Sequence, residues 1–385
     1  MATTLISGVQ YSGIWSLSGQ ANAKALGTWP EQPGPSLFSW GGGTGGQLGL
    51  GNTTNYSSPK QVGTLKNWSK LTGGGNFNTS IKIDGTLWSW GNNGSGQLGL
   101  GDSANRSSPT QIGALTTWSS VACGSLHIVA IKTDGTLWSW GGNSDGQLGL
   151  GNTTNYSSPK QVGALTAWAK VAAGKAHSLA IKTDLTLWLW GAGNYGRLGL
   201  GNTTSYSSPK QVGSLTNWLN IAGGYAYSIA SKTDGTLWTW GRNNQGQLGI
   251  GNVTYFSSPK QVGALTTWLT VATGYQTALV IKTDGTLWSW GANSRGATGL
   301  NSATYAFSSP NQVGALTTWY LLACGNYHVV ATQTNGTLWA WGFNSSGQLG
   351  DSTTVNKSSP KQVGALTTWS AVGAASSATT AIAIA

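Results

Sequence analysis

The chain has 385 residues, of which 59 are Gly and 22 are Trp, and charged residues make up only 8% of it. Twenty Lys and Arg oppose nine Asp and Glu, which gives a formal net charge of +11. Low charge with many aromatic residues excludes a disordered chain, and the glycines lack the three-residue period of collagen. No run of about 18 apolar residues is present, so membrane insertion is not expected, and no Sec signal is recognisable.

Residues 1–35 differ from the rest of the chain and are predicted to form an N-terminal docking arm. This arm contains Gly13-Ile14-Trp15 and Gly27-Thr28-Trp29-Pro30. The pattern resembles the opening segments of structural proteins from tailed bacteriophages. The resemblance implies that Trp15 and Trp29 dock the arm onto other virion or scaffold proteins, with the chain present in multiple copies. A disordered leader is the alternative interpretation.

Residues 36–385 consist of one unit that occurs seven times. The second aromatic of a Leu-Trp-Ser-Trp-Gly motif recurs at a spacing of 50 residues, and once of 51, at Trp40, Trp90, Trp140, Trp190, Trp240, Trp290 and Trp341. A Ser-Ser-Pro motif and a separate Trp recur with the same period. A multi-stranded repeat of this length predicts one blade of a β-propeller per unit.

The composition of each unit favours short strands. Residues 136–140 are β-branched and aromatic, residues 178–182 form a second strand, and Asp-Gly is a strong signal for the hairpin turn between two such strands. No segment keeps a 3.6-residue apolar period, so helix is nearly absent. The predicted fold class is therefore all-β, a seven-bladed β-propeller.

The two ends of the repeat region predict how the ring closes. The chain stops at Ala385, sixteen residues after Trp369, where the preceding copy begins its hairpin turn at Asn335. The partner strand that this last unit lacks lies at residues 36–40. We therefore expect one blade to be shared by the N-terminal and C-terminal strands.

Three motifs in fixed order resemble the RCC1 repeat (regulator of chromosome condensation): Leu-Trp-Ser-Trp-Gly-x-Asn-x-x-Gly-Gln-Leu-Gly-Leu-Gly, then Ser-Ser-Pro-Lys-Gln-Val, then Val-Ala-x-Gly-x-x-His-Ser-Leu-Ala. The resemblance covers residues 36–385 and implies a seven-bladed propeller. The founding member is a nucleotide exchange factor for a small GTPase that also binds chromatin.

In that family the Gly-x-x-His turn lies on the side that faces the GTPase. The matching candidate binding positions are Phe77, His127, His177, Tyr227, Thr277, His328 and Ala378. Only three of the seven are His, no acidic residue joins them, and the strict spacing leaves no room for the inserted element that the exchange factor resemblance implies. A structural role, in which each His bonds a neighbouring blade, is the alternative.

The sequence predicts no catalytic residues, no metal site and no cofactor. Five of the nine acidic residues recur at one hairpin position, as Asp84, Asp134, Asp184, Asp234 and Asp284, which indicates turn chemistry. The three His are spread over separate blades, whereas a zinc site needs converging ligands. Cys123 and Cys324 occupy equivalent positions in blades that are not neighbours and are expected to be buried and unbonded.

The lysines fall into two sets. In the first set each Lys precedes a hairpin Asp by two positions, so we expect the Asp to offset most of its charge. This set consists of Lys82, Lys132, Lys182, Lys232 and Lys282. The second set has no nearby acid and consists of Lys60, Lys160, Lys210, Lys260 and Lys361. This lysine ring either attracts an anionic partner or keeps a weakly charged protein in solution. Nucleic acid is not an expected partner, because the basic residues are spaced by whole blades.

The aromatic residues outside the repeated positions are candidate binding residues. They are Tyr195, Tyr225, Tyr255, Phe256, Tyr275, Tyr305, Phe307 and Tyr327. Differences between nearly identical copies are places where specificity can reside, as in the variable loops of a constant scaffold, although drift is an alternative source.

These features favour a non-enzymatic structural or adhesive module, in which a phage virion presents the propeller to a host-surface glycan or protein. The alternative is an RCC1-type exchange factor or regulatory protein-interaction scaffold. The expected location is the virion, or otherwise the cytoplasm or the extracellular space.

Overall fold

The computed structural model describes residues 34–374 and 380–385. Within them lie seven antiparallel sheets of four strands each. The strands in the first half of the chain are β1 (Leu37–Gly41), β2 (Tyr56–Gln61), β3 (Trp68–Gly73), β4 (Phe77–Lys82), β5 (Leu87–Gly91), β6 (Arg106–Gln111), β7 (Trp118–Cys123), β8 (His127–Lys132), β9 (Leu137–Gly141), β10 (Tyr156–Gln161), β11 (Trp168–Ala173), β12 (His177–Lys182), β13 (Leu187–Gly191) and β14 (Tyr206–Gln211).

The second half repeats the same pattern. Its strands are β15 (Trp218–Gly223), β16 (Tyr227–Lys232), β17 (Leu237–Gly241), β18 (Phe256–Gln261), β19 (Trp268–Thr273), β20 (Thr277–Lys282), β21 (Leu287–Ala292), β22 (Ala306–Gln312), β23 (Trp319–Cys324), β24 (His328–Gln333), β25 (Leu338–Gly342), β26 (Lys357–Gln362), β27 (Ala371–Ala374) and β28 (Thr380–Ile384). Two short 3₁₀ turns, Asn194–Gly196 and Ser294–Gly296, interrupt loops of this framework. No helix in the described residues has the length and apolarity needed to cross a membrane.

Each sheet is one blade. Blade 1 has the strand order β2-β1-β28-β27, and blades 2 to 7 contain β3–β6, β7–β10, β11–β14, β15–β18, β19–β22 and β23–β26. The innermost strands β3, β7, β11, β15, β19, β23 and β27 contact one another in sequence around the axis, and β27 contacts β3. The fold is therefore a closed seven-bladed propeller, as the repeat predicts.

Blade 1 closes the ring with strands from both ends of the repeat region, which confirms the prediction. Leu37 of β1 pairs with Ile384 of β28 in an antiparallel ladder that runs to Gly41 and Thr380. Two backbone hydrogen bonds extend this ladder: Ser36 N donates to Ala385 O at 2.8 Å, and Ala385 N donates to Ser36 O at 3.1 Å.

The propeller has two different faces because its strands alternate in direction. The axial-turn face holds the turn between the first and second strands of each blade, such as 74–76, and the long loop after the third strand, such as 92–105. The hairpin face holds the turn between the second and third strands, such as 83–86, and the connection to the next blade, such as 63–67.

Seven apolar cores hold the ring together, and each lies between two adjacent blades. A fully buried Trp from the third strand marks each core, and its Nε1 donates to a carbonyl oxygen of the preceding blade. Trp90 donates to Gln47 O at 2.9 Å, and Trp40 donates to Gln348 O at 3.0 Å. Because buried indole N–H groups need a partner, this bond fixes how one blade sits on the next.

Candidate functional site

A ring of backbone hydrogen bonds surrounds the axis on the axial-turn face. Gly75 N donates to Ser125 O at 3.0 Å, and Ser125 N donates to Lys175 O at 3.2 Å. On the opposite side Tyr275 N donates to Asn326 O at 3.1 Å. The turns thus hold one another in place, and the variable side chains that they carry start from a fixed backbone.

The six described positions of the Gly-x-x-His match lie beneath these turns, in the interior. Phe77, His127, His177, Tyr227, Thr277 and His328 are between 0 and 3% exposed. Burial takes their side chains away from any surface partner, so the expectation that they form a binding ring needs correction. The seventh position, Ala378, lies outside the described residues.

The side chains of His127, His177 and Tyr227 bond to a neighbouring blade, in agreement with a structural role, whereas Thr277 Oγ1 donates to Ala292 O within its own blade. His127 Nε2 lies 3.0 Å from Ser178 Oγ, and Ser178 Oγ in turn donates to Gln147 O at 2.7 Å. Because the single hydroxyl proton of Ser178 is used in that bond, His127 Nε2 must be the donor to Ser178. Burial lowers the pKa of His127 to about 3, so the ring is neutral at pH 7.

His177 repeats this arrangement one blade further. Its Nε2 lies 2.9 Å from Ser228 Oγ, and Ser228 donates to Arg197 O at 2.9 Å. At the next position Tyr227 donates its hydroxyl to Thr277 O at 2.7 Å. The sequence suggested bonding to the neighbouring backbone, whereas both His use a serine hydroxyl that lies 51 residues further along the chain.

Three half-buried tyrosines converge near the axis on the axial-turn face. The rings of Tyr225 and Tyr275 are 4.1 Å apart, and those of Tyr275 and Tyr327 are 5.4 Å apart. Lys175 Nζ donates to the Tyr225 hydroxyl at 2.8 Å and lies 4.2 Å from the centre of that ring. The bond from Lys175 lowers the pKa of Tyr225, and burial raises that of Tyr275. Three sequence-predicted residues from three blades therefore form one stacked row.

Two arginines flank this row. The Arg295 guanidinium lies 5.2 Å from the Tyr327 ring centre and 3.8 Å from that of Phe343. The Arg242 guanidinium lies 5.3 Å from the Tyr195 ring centre, and its charge acts on Tyr225 and Tyr275. Arg242 Nε is buried and lacks a hydrogen-bond acceptor among the described residues. We call Lys175, Tyr225, Arg242, Tyr275, Arg295 and Tyr327 the tyrosine–cation cluster. The three ion pairs in the described part of the chain, Arg106–Asp102, Lys282–Asp284 and Lys357–Asp351, involve none of its members.

The cluster borders a cavity of about 160 Å³ at the axis. Lys175, Tyr225 and Asn326 contribute to its rim, while Cys123 and Cys324 contribute to its wall. Both cysteines are free, and burial raises the pKa of both thiols, that of Cys123 to about 12. The thiols are consequently protonated at pH 7.

Two strained loops extend the same face. Tyr195 and Arg295 both have a φ of 65°, a region that side chains other than Gly rarely adopt. In other blades the backbone N–H of the residue at this position donates to a Gln side chain two residues later. In blade 1, for example, Gly45 N donates to Gln47 Oε1 at 2.7 Å. Arg197 and Ala297 stand at that Gln position in the two strained loops. The loss of this amide acceptor accompanies the change to a 3₁₀ turn.

The remaining predicted aromatic residues do not form one site. Tyr195 and Tyr255 pack edge to face at 5.7 Å, and Tyr305 is exposed at a loop tip. Phe256 and Phe307 are half-buried against the apolar core between blades 5 and 6. These two were expected on a variable binding surface, and their packing assigns them to the framework.

The lysine ring lies on the outer strands. Four of its members bend back over the aromatic residue four positions earlier: Lys60 over Tyr56, Lys160 over Tyr156, Lys210 over Tyr206 and Lys260 over Phe256, at 5.2 to 5.7 Å. These cation–π contacts leave the side chains exposed. Lys361 occupies the same position in blade 7.

The hairpin lysines lie over tryptophan rings, and their charges also act on the hairpin aspartates, whose pKa values they help to lower. Lys232 Nζ lies 3.9 Å from the Trp238 ring and 4.9 Å from that of Trp218. Among the hairpin lysines, ion-pair distance is reached by Lys282, at 3.5 Å from Asp284. In blade 7 the Lys and the Asp are both replaced, by Gln333 and Asn335.

The hairpin aspartates act as turn residues. Asp84 Oδ1 accepts from Thr86 N at 2.9 Å and from Thr86 Oγ1 at 2.7 Å, and Thr86 Oγ1 accepts from Trp88 Nε1. The hydrogen bonds from Thr86 are the main reason that the pKa of Asp84 is lowered. In the described ranges no three His, Cys, Asp or Glu side chains are grouped closely enough to hold a metal ion. Trp15 and Trp29, the predicted docking residues of the arm, lie outside those ranges.

Comparisons with known proteins agree with this architecture. The family model described as "Regulator of chromosome condensation (RCC1) repeat" matches seven times, at residues 36–81, 84–131, 134–181, 186–231, 234–281, 284–332 and 335–384. A second RCC1 repeat model matches four segments between residues 118 and 348. The chain therefore belongs to the RCC1 repeat family.

Solved structures show the same fold. Prp20p from Saccharomyces cerevisiae, described together with its binding properties to Gsp1p and histones, superposes with a TM-score of 0.83 at 22% identity, and the match covers 92% of each chain. Yeast RCC1 bound to Kap60 gives 0.82 at 21% identity over 100% of this chain and 95% of that one. Human WBSCR16 gives 0.82 at 21% identity over 91% and 99%. None of these comparisons supports the suggested resemblance of the arm to phage proteins.

Proposed function

We propose that this protein is a non-catalytic interaction scaffold that binds a protein partner through the tyrosine–cation cluster. The observation that carries the proposal is the row of contacting, tilted rings of Tyr225, Tyr275 and Tyr327. Lys175 and Arg295 contact this row, and the charge of Arg242 acts on Tyr225 and Tyr275. Tyrosine and arginine are enriched where protein interfaces concentrate their binding energy, because they supply large contact areas with polar ends.

The cluster also explains why nearly identical blades carry different turns. At the turn position of Tyr225 and Tyr275, blades 2 and 3 have Gly75 and Ser125. The large side chains are thus confined to one side of the face, which suits a single asymmetric partner. The similar yeast proteins were characterised with the protein partners Gsp1p, histones and Kap60, which supports a scaffold in preference to a virion adhesin or a glycan receptor.

The electrostatics indicate the chemistry of the partner. The Arg242 Nε–H is buried without an acceptor in the described part of the chain, and the cluster cations lack carboxylate partners there. Buried donors are normally satisfied, so an acidic side chain of a partner is the expected acceptor. We therefore expect the partner to present carboxylates next to an apolar or aromatic residue.

The proposal is tested by affinity capture with the full chain and two matched variants. One variant, Y225A/R242Q/Y275A, removes the centre of the cluster, and the control variant, N76A/S125A/L126S, changes exposed turn residues on the same face in blades 2 and 3. We expect quantitative mass spectrometry to find a protein that is captured by the wild type and the control but lost with the cluster variant. Equal capture by both variants would contradict the proposal.

Nucleotide exchange is a second candidate function, favoured by the fold similarity to Prp20p. An exchange assay with Gsp1p loaded with fluorescent GDP examines it directly. Acceleration of GDP release by the wild type but not by Y225A/R242Q/Y275A would assign exchange to this cluster. The turns between the first and second strands of the blades contain no Asp or Glu in the sequence. We therefore expect no acceleration of GDP release.

A further inference from the structure

The hairpin face carries exposed apolar side chains that recur from blade to blade. One Leu of each connection between blades is 39 to 51% exposed, and we call this set the leucine ring: Leu65, Leu115, Leu165, Leu215, Leu265, Leu316 and Leu366. Leu269 and Tyr320, which begin strands near the axis, are 44 and 57% exposed on the same face. Their repetition at one position, on the face that also carries Leu269 and Tyr320, makes this set a candidate binding surface.

The leucine ring is flat. Its members occupy equivalent positions in seven equivalent blades around a closed ring, so they lie at one height along the propeller axis. The Nε1 of Trp68 donates to Leu65 O at 3.0 Å and holds that connection in place. A rigid, planar set of apolar side chains fits a flat target, whereas a single folded partner would match only part of it.

The charge of this face is positive. The five hairpin lysines are balanced in number by five hairpin aspartates. The lysine ring lies one residue from the hairpin-face end of its strands, and Lys66, Lys70 and Lys170 lie on the same side. None of these eight lysines belongs to a described ion pair, although Lys66, Lys70 and Lys170 donate hydrogen bonds to neutral oxygens of the protein. Because two such faces would repel each other, the charge argues against a face-to-face pair of copies.

We propose that the hairpin face docks on an anionic lipid bilayer, with the leucine ring at the acyl–headgroup boundary and the unpaired lysines among the headgroups. A bilayer surface is laterally uniform and negatively charged, so it satisfies all seven blades at once. Apolar side chains and basic residues on one surface are the combination that holds peripheral proteins at membranes. This contact is independent of the tyrosine–cation cluster, which lies on the opposite face.

Vesicle co-sedimentation tests the proposal with the full chain. The probes are vesicles of phosphatidylcholine alone and of phosphatidylcholine mixed with phosphatidylserine. We expect binding to the mixed vesicles, little binding to phosphatidylcholine alone, and a decrease with increasing salt because headgroup attraction is screened. No binding to the mixed vesicles, or equal binding to both compositions, would overturn the proposal.

Two triple variants separate the leucine ring from general apolar exposure. L115S/L165S/L215S changes three adjacent ring members, and L126S/V253S/V355S changes three residues of similar exposure on the axial-turn face. We expect a roughly tenfold drop in the partition coefficient for the first variant and none for the second. Thermal unfolding establishes that both variants are folded. An equal drop for both variants would contradict the assignment of the surface.

Two further measurements test self-association and the role of the lysines. If the leucine ring were a self-association surface, light scattering would detect a dimer of the wild type that L115S/L165S/L215S dissociates, and this result would overturn the proposal. Loss of vesicle binding in K160Q/K210Q/K260Q, with the leucines intact, supports the role of the unpaired lysines. Unchanged binding of that variant would contradict the proposed contact between the unpaired lysines and the anionic headgroups.

Discussion

Leu185 occupies a turn position at which five other blades have Gly. Its φ of 62° lies in the left-handed region, which costs a residue with a Cβ roughly 1–2 kcal/mol. Part of this cost is offset because Leu restricts the unfolded chain more than Gly does. We expect L185G to raise the free energy of unfolding by about 0.5–1 kcal/mol, as measured by denaturant titration.

The reverse substitution, G135L, is the matched control. A Cβ on Gly135 would lie 2.0 Å from Thr166 O, so the hairpin and the neighbouring connection must separate. This variant is expected to lose stability. An L185G protein that is no more stable than the wild type would show that the local packing of Leu185 compensates for its backbone.

The buried histidines predict a distinct response to acid. The pKa of His127 is lowered from 6.5 to about 3 in the folded protein, so below pH 6.5 the unfolded state binds more protons. The free energy of unfolding that depends on neutral His127 is therefore fully present above pH 6.5. It falls by about 1.4 kcal/mol for each pH unit below that value. H127F removes this titration, and Phe is already the residue at the equivalent position, Phe77.

We therefore expect the loss of unfolding free energy between pH 6.5 and 4.5 to be about 2–3 kcal/mol smaller in H127F than in the wild type. The hairpin aspartates do not obscure the result, because their pKa values are lowered from 3.8 and their contribution is lost at lower pH. L126F, at the exposed neighbouring position, should keep the wild-type pH profile. Parallel profiles for H127F and the wild type would contradict the neutral, buried state of His127.

At the scale of single elements, the strained loops show how one side chain selects a backbone form. Ala297 stands where Gln247 occurs in blade 5, and the Gln247 amide oxygen accepts from Gln245 N at 2.8 Å. We expect A297Q to supply this acceptor, to return Arg295 to a negative φ and to withdraw its guanidinium from Phe343. A crystal structure of the variant measures both changes.

The reciprocal variant Q247A serves as the control for this prediction. Removing the amide from blade 5 is expected to drive that loop toward the 3₁₀ form, with residue 245 at positive φ. If A297Q and Q247A both leave their loops unchanged, another residue of the loop selects the backbone form.

The sequence predicted these elements unevenly. Turn residues such as Asp84 and strand residues such as Trp90 act locally and repeat with a fixed period, so their roles were recognisable. The bond between His127 and Ser178 joins residues 51 positions apart in different blades, and no local pattern encodes it. Phe256 was counted among the aromatic residues of variable turns, although it lies in β18 and its ring is half-buried against the core between two blades.

At the scale of the whole molecule, the blade number followed from the repeat spacing, the strand class from the composition of each unit, and the shared first blade from the two ends of the repeat region. The convergence of Tyr225, Tyr275 and Tyr327 did not, because their distances depend on the size of the ring and on the tilt of each turn. The boundary between the arm and the propeller near residue 35 remains a prediction. The flat leucine ring was also missed, since an exposed Leu in one repeat is unremarkable until closure places seven in a plane.

Ring closure makes a further prediction about stability. Deleting residues 380–385 removes β28, which pairs with both β1 and β27, and leaves their edges open. We expect this variant to aggregate and to lose a single cooperative unfolding transition in calorimetry. An extension of six Gly and Ser residues after Ala385 keeps β28 and should unfold like the wild type. Cooperative unfolding of the deletion variant would show that six blades suffice without closure.

The pairing of β1 with β28 also determines how long β1 lacks its partner strand during synthesis. Leu37 and its partner Ile384 are separated by almost the whole repeat region. A ribosome adds about 5–20 residues per second, so β1 waits roughly 17–70 s for β28 to be made. During that interval one edge of an apolar strand is unpaired and open to other chains. The bond that completes the ring is thus the last to become possible, and the yield of folded protein depends on how β1 is shielded until then.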